Sequence, residues 1–153
     1  MYDPWAVKRR LADALNEHNL EGVLDTFAPD GVLVSPFGVA EGHEQIGWMY
    51  EQVFRSFPDF QLIVWYEAVT CDAPLMVEWT ATGTHLGPIL LPDGRELAAT
   101  GRPITFRGTC ASFIEGGKIK THREYFDQLE LYTQLGLRLA EAPGETLPGV
   151  SSA

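Results

Sequence analysis

Residues 116–137 read GGKIKTHREYFDQLELYTQLGL, and the fold turns on how this stretch is parsed. Paired glycines reach the left-handed backbone conformations of a two-residue hairpin turn, so Gly116-Gly117 is expected to join two antiparallel strands, Ile104 to Glu115 and Lys118 to Phe126. The second strand stops at Asp127. Beyond it Leu129, Leu131, Tyr132 and Leu135, with Leu139 at the limit, recur near helical spacing as a short amphipathic helix, and Gly136 marks its end. Asp127-Gln128-Leu129-Glu130 also fits an aspartate-led capping box. Asp127 therefore has two readings: a helix cap, or an acid at the strand end where a pocket opens.

Alternation along the strand sorts its neighbours. Counting back in twos from Asp127 gives Tyr125, Arg123, Thr121 and Ile119, while Phe126, Glu124, His122 and Lys120 take the other face. On this count Tyr125 and Arg123 accompany Asp127 in a pocket and His122 does not, unless a bulge mixes the sets. Arg123 reads equally well as a surface ion-pair residue.

Upstream, Asp3-Pro4 signals a helix start, an N-cap acceptor followed by proline at the first helical position. Trp5, Leu11, Ala12 and Leu15 form its apolar stripe, with Lys8, Arg9, Arg10 and Asp13 expected to face outward. Asn19 caps a second short helix carrying Leu20, Val23, Leu24 and Phe27, which Pro29-Asp30-Gly31 breaks. Val32 to Val34 reads as a short buried strand and Phe37 to Gly42 as a loop. From His43 to Ser56, Ile46, Met49, Tyr50, Val53 and Phe54 make the apolar face of a third helix, which Pro58 ends.

The pattern then becomes extended, with strands predicted over Phe60–Val69 and Leu75–His85 and a long connection from Gly87 to Gly94. Helices gathered first and antiparallel strands last predict an α+β fold: a curved sheet covered by helices, a cone around an apolar pocket. One domain is expected over residues 1–139. The tail, residues 140–153, has no periodicity and is expected to be loosely attached.

The 153 residues carry 21 acidic against 11 basic side chains, a formal net charge of −10. Such a surface repels phosphate backbones and anionic lipid, which argues against nucleic acid and membrane as partners. No apolar run approaches the ~18 residues that span a bilayer, and the N-terminus is amphipathic from the start, so a cytoplasmic protein is expected. Cys71 and Cys110 are far apart and read as two buried thiols of a reducing compartment. No His/Cys/Asp/Glu set has metal-site spacing.

Among single residues, His85 lies in Gly83-Thr84-His85-Leu86-Gly87, where a strand gives way to the connection over the cavity mouth. It is a candidate to polarise a carbonyl or relay a proton, or a solvated loop-end histidine. His18 and His43 read as structural. Trp48, Tyr50 and Trp79 are candidates to line the pocket where the third helix faces the sheet. Arg102 and Arg107 read as strand-edge charges.

Three stretches, NLEGVLDTFAPDGVLVSP (19–36), GTHLGPILLPDGRELAATGRPITFRGT (83–109) and EGGKIKTHREYFDQLELYTQLGL (115–137), make the chain resemble the nuclear-transport-factor-2-like superfamily. Within it the chain resembles the SnoaL-like group that contains the polyketide ester cyclases. The resemblance implies a homodimer, an enclosed apolar pocket, an aromatic polyketide methyl ester as substrate, and neither metal nor organic cofactor. It also implies that the aspartate matching Asp127 is the general acid/base of an intramolecular aldol ring closure. A carboxylate among aromatic side chains is poorly solvated, and such groups are tuned for proton transfer at carbon. The cyclases place a histidine in the cavity as well, whereas the strand preceding the hairpin offers Cys110, Ala111, Ser112 and Phe113 here, leaving His85 or His122 for that role.

Other activities of the fold match less well. A ketosteroid-isomerase-like enzyme keeps an aspartate where this chain has Ser35-Pro36. A limonene-epoxide-hydrolase-like enzyme needs carboxylates near an arginine, and Arg107 has none close in sequence. A non-catalytic binding module for an apolar small molecule is the remaining alternative.

Overall fold

The computed structural model describes residues 3–65 and 74–144. Helix α1 (Pro4–Asn16) begins where expected, with the Asp3 carboxylate accepting the Trp5 amide, and α2 (Leu20–Thr26) is capped by Asn19 accepting the Gly22 amide. Strand β1 (Phe27–Ser35) starts five residues earlier than the Val32 expected, running through Pro29-Asp30-Gly31 with a register break between Phe27 and Val32. Helix α2 ends ahead of Pro29-Asp30-Gly31, as expected, and the register irregularity between Phe27 and Val32 accommodates the proline within the strand. The expected loop after Pro36 contains a short strand, β2 (Gly38–Glu41), which turns back on β1. Helix α3 spans Gly42–Ser56.

Strand β3 (Gln61–Trp65) is described to Trp65, and its predicted continuation to Val69 lies outside the described residues, as does Cys71. Strands β4 (Leu75–Thr84), β7 (Pro103–Glu115) and β8 (Lys118–Phe126) follow the expected boundaries closely, and the connection between β4 and β7 forms a two-stranded ribbon of β5 (Ile89–Leu90) and β6 (Glu96–Leu97). Gly116 and Gly117 both take positive φ, 59° and 76°, as the hairpin turn requires. Helix α4 (Gln128–Gln134) is shorter than its apolar pattern. Gly136, at φ 88°, ends it while the Leu137 amide reaches the Tyr132 carbonyl.

Six strands form one sheet in the order β2-β1-β8-β7-β4-β3. The β1–β8 pair is parallel and the others antiparallel. Helices α1, α2 and α3 pack with β1 around Leu11, Val23, Phe27, Leu33, Ile46 and Ile119; a second cluster joins Val77, Trp79, Phe106 and Cys110 to Leu131 and Leu135 of the α4 region. Fully burying each such side chain contributes roughly 1.5–3 kcal/mol. Gln134 pins α4 to β7, its amide group exchanging hydrogen bonds with both backbone groups of Thr105. Residues of both clusters, among them Leu11, Tyr50, Val77 and Phe106, line an inner cavity.

Candidate active site

An inner cavity of about 80 Å³ is bounded by α1 (Lys8, Leu11, Ala12, Leu15), α3 (Tyr50, Val53) and the helix-facing side of β4, β7 and β8 (Val77, Trp79, Phe106, Cys110, His122, Glu124, Phe126). An outer cavity of about 390 Å³ lies between α3, the β5–β6 ribbon and α4, with Trp48, Met49, Leu90, Leu91, Gln128 and Tyr132 in its wall. Phe37, Val53 and Phe57 line both, so the two spaces share a threshold.

The inner cavity is apolar except for one cluster, built by strand pairing. On β7 and β8, Cys110 stands opposite Glu124 and Ser112 opposite His122, all directed toward the helices. Ser112 Oγ is 2.8 Å from His122 Nδ1. From α1, Lys8 Nζ enters the same group, 3.3 Å from Cys110 Sγ and 3.5 Å from His122 Nδ1. On the other ring nitrogen, His122 Nε2 lies 3.8 Å from Glu124 Oε2.

Lysine only donates, so its approach to Nδ1 marks that atom as the acceptor and leaves the ring proton on Nε2, toward Glu124. The electrostatics agree. Burial pushes the His122 pKa down and the Lys8 ammonium pushes it further, against an opposing pull from Glu124. His122 is therefore neutral near pH 7. Burial also raises the Cys110 thiol above its ordinary value despite the neighbouring ammonium, which keeps it a thiol rather than a nucleophilic thiolate. Glu124 is the one carboxylate among the described residues lining the inner cavity.

The residues singled out from sequence are placed as follows. Tyr50 and Trp79 line the inner cavity and Trp48 the outer one. Asp127 lines neither cavity; it is exposed, and its Oδ1 accepts the Leu129 and Glu130 amides at 2.8 and 3.3 Å as the cap of α4. Arg123 and Tyr125 share its face of β8, as alternation requires, but that face is exposed, away from the helices. The cavity face carries His122, Glu124 and Phe126 instead. An extra residue in β8 between the Ile114–Ile119 and Phe113–Thr121 pairs moves Ile119 to the inner face as well. His85 is fully buried but outside both cavities, with Nδ1 2.9 Å from Thr100 Oγ1 and accepting the Thr100 amide. Desolvation lowers its pKa, partly offset by the Gly87 backbone. His18 and His43 bond the backbone carbonyls of Phe60 and Phe27.

Two site residues were missed. Lys8, expected to face solvent, is 4% exposed. Its sequence signal was spacing: it precedes Leu11, Ala12 and Leu15 by three, four and seven residues and lies on the stripe they define. Glu124 is two residues from both His122 and Phe126 on the alternate set that was assigned away from the pocket. Among the described residues, no cluster of three or more His, Cys, Asp or Glu is arranged to hold a metal.

The fold is thus an α+β cone whose inner cavity carries a carboxylate, a neutral histidine and a buried lysine. The profile of the SnoaL-like polyketide cyclase family matches residues 6–135, and the chain belongs to that family. Among solved structures, a SnoaL-like candidate polyketide cyclase from Jannaschia sp. CCS1 aligns with a TM-score of 0.75 at 20% identity, over 89% of this chain and 93% of that one. AclR of Streptomyces galilaeus, described as a candidate hydroxylase, gives 0.73 at 23% identity over 92% and 84%. IdmH of Streptomyces antibioticus, a candidate polyketide cyclase, gives 0.67 at 23% over 89% and 100%. At these identities the likeness establishes the shared fold. Among curated protein sequences, none matches the chain.

Proposed function

We propose that this protein catalyses proton transfer at a carbon beside a carbonyl in an apolar substrate, in a polyketide-cyclase-type aldol ring closure, with Glu124 as the general base and acid. The observation that carries this reading is the Glu124 carboxylate facing the inner cavity with the His122 Nε2–H beside it. In this sequence of steps Glu124 takes a proton from carbon, and the C–H electron pair forms the enolate double bond as the carbonyl π pair moves onto oxygen. The enolate carbon then attacks a second carbonyl carbon of the same molecule. A carbon–carbon bond forms, the second π pair becomes an alkoxide, and Glu124 returns its proton there. The product is an isomer of the substrate, and only protons move between protein and ligand. His122 orients the carboxylate. The reacting end of the substrate occupies the inner cavity and the remaining rings the larger outer one.

The experiment is hydrogen–deuterium exchange at the α-carbon of a bicyclic aryl ketone in deuterated buffer, followed by NMR. Glu124→Gln is expected to slow protein-catalysed exchange by about 10²–10⁴-fold, the usual contribution of a positioned acid/base. Exchange no faster than buffer with the wild-type protein favours the non-catalytic binding module instead.

A homodimer fits the opposite side of the sheet. One cross-strand row runs Trp65–Glu78–Thr109–Tyr125 across β3, β4, β7 and β8, and its end residues are 53% and 54% exposed. Ile63, Met76 and Phe113 add exposed apolar area to these strands, and a second copy of the chain is the proposed cover. The buried free thiol of Cys110 fits the reducing cytoplasm as the expected compartment.

A further inference from the structure

Two polar groups in the inner cavity remain unexplained by the protein alone. Tyr50 is 6% exposed, lines this cavity, and its hydroxyl has no hydrogen-bond partner among the described residues. A buried hydroxyl without a partner is destabilising unless something outside the chain satisfies it. The second group is the Lys8 ammonium. Among the described residues no carboxylate lies within ion-pair distance of it, and its contacts are a thiol sulfur and an imidazole nitrogen that already faces Ser112 Oγ. Both are weak compensation for a buried cation, and at most two of its three N–H groups are used.

The two groups border the same pair of residues. Lys8 touches Cys110, the Cys110–Glu124 pair faces the cavity, and the Tyr50 phenol is held well above its usual pKa by burial first and then by the charge of Glu124. The Tyr50 hydroxyl thus stays protonated and is a donor in search of an acceptor. Most of the cavity wall is Leu, Val, Phe and Trp side chains, and in such surroundings a charge-assisted hydrogen bond is stronger than in water.

We infer that Lys8 and Tyr50 form an oxyanion-binding pair, so that the cavity takes ligands whose oxygen is, or becomes, negatively charged: enolates and phenolates rather than neutral ketones alone. The inference rests on the reading that this cavity receives the substrate carbonyl. It adds the electrophilic half of the site, since Glu124 removes the proton while Lys8 and Tyr50 hold the charge that appears on oxygen. It also explains a neutral His122. An imidazolium there would sit against the ammonium, whereas the neutral ring accepts from it.

The test uses para-nitrophenol, whose phenolate absorbs visible light and whose neutral form does not. Titrated in the presence of wild-type protein, the bound probe is expected to ionise at lower pH than the free probe. Tyr50→Phe keeps the ring and removes an unpartnered hydroxyl, so its thermal stability is expected to match or exceed that of the wild type, while phenolate affinity falls several-fold. Lys8→Met is expected to lose phenolate affinity by about tenfold or more and to bind the neutral phenol as well as before. A bound probe that ionises like the free one, or variants that bind phenolate like the wild type, overturns the inference. A loss of stability in Tyr50→Phe without loss of binding assigns the hydroxyl a structural role and overturns it equally. Glu124→Gln separates the two readings: it is expected to keep or strengthen phenolate binding while slowing carbon exchange at least about a hundredfold. Phenolate binding that survives alongside undiminished exchange in Glu124→Gln would sink the acid/base reading and leave the oxyanion pair standing.

Discussion

At the scale of residues, the proposed site draws on three side chains from two elements: Lys8 on α1, and His122 and Glu124 on β8. Lys8 is the buried cation among them, and its contacts with Cys110 and the neutral His122 leave it only partly compensated. Asp127 belongs to a different account. As a cap, it is interchangeable with asparagine and not with alanine. Asp127→Asn is expected to leave exchange activity within about threefold of wild type, and Asp127→Ala to lower stability by about 1 kcal/mol, measured by chemical denaturation. The histidines add a pH dependence. The folded-state pKa values of His122 and His85 are depressed, so the unfolded chain binds more protons as pH falls below 6.5. Stability therefore declines on acidification below that value, by up to about 1.4 kcal/mol per pH unit for each histidine, until the folded state protonates too. Thermal melts between neutral and mildly acidic pH should show this slope, and His122→Gln should reduce it. What sequence could not supply at this scale was a sign. Alternation correctly grouped Arg123, Tyr125 and Asp127, but period-two counting does not say which group faces the helices. A charged residue on an apolar stripe, Lys8, was read by its charge rather than by its spacing.

At the scale of elements, the caps and turns were legible because their chemistry is local. Asp3, Asn19, Gly116-Gly117 and Gly136 act within a few residues of themselves. Strand β1 was not legible past Pro29, because its pairing with β2 and β8 comes from distant residues and a bulge accommodates the proline. Gly108 shows the same limit. It lies opposite Trp79, and a Cβ there would sit 2.4 Å from Trp79 Cζ2 and 2.6 Å from the Tyr125 carbonyl oxygen. The missing side chain lets the indole lie across β7 as a wall of the inner cavity. Gly108→Ala is expected to cost about 1–3 kcal/mol through overpacking, read as a lower melting temperature, and to disturb the cavity wall.

For the whole molecule, order and periodicity sufficed: helices first, long strands later, one layer on the other. The α+β cone follows from that order, and the family from motifs spread over most of its length. The cavity, in contrast, is lined jointly by residues of both core clusters, a property of packing that no window of sequence contains. Assembly belongs to this scale too. If the outer sheet face is the dimer interface, Trp65→Glu together with Tyr125→Glu should convert a dimer to a folded monomer in sedimentation velocity; a wild-type monomer at micromolar concentration would end that proposal. The central claim concerns which carboxylate does the chemistry. Parallel α-carbon exchange rates for Glu124→Gln and Asp127→Asn measure it most directly. The account predicts that Glu124→Gln falls at least about a hundredfold while Asp127→Asn stays near the wild-type rate. The reverse order would contradict it.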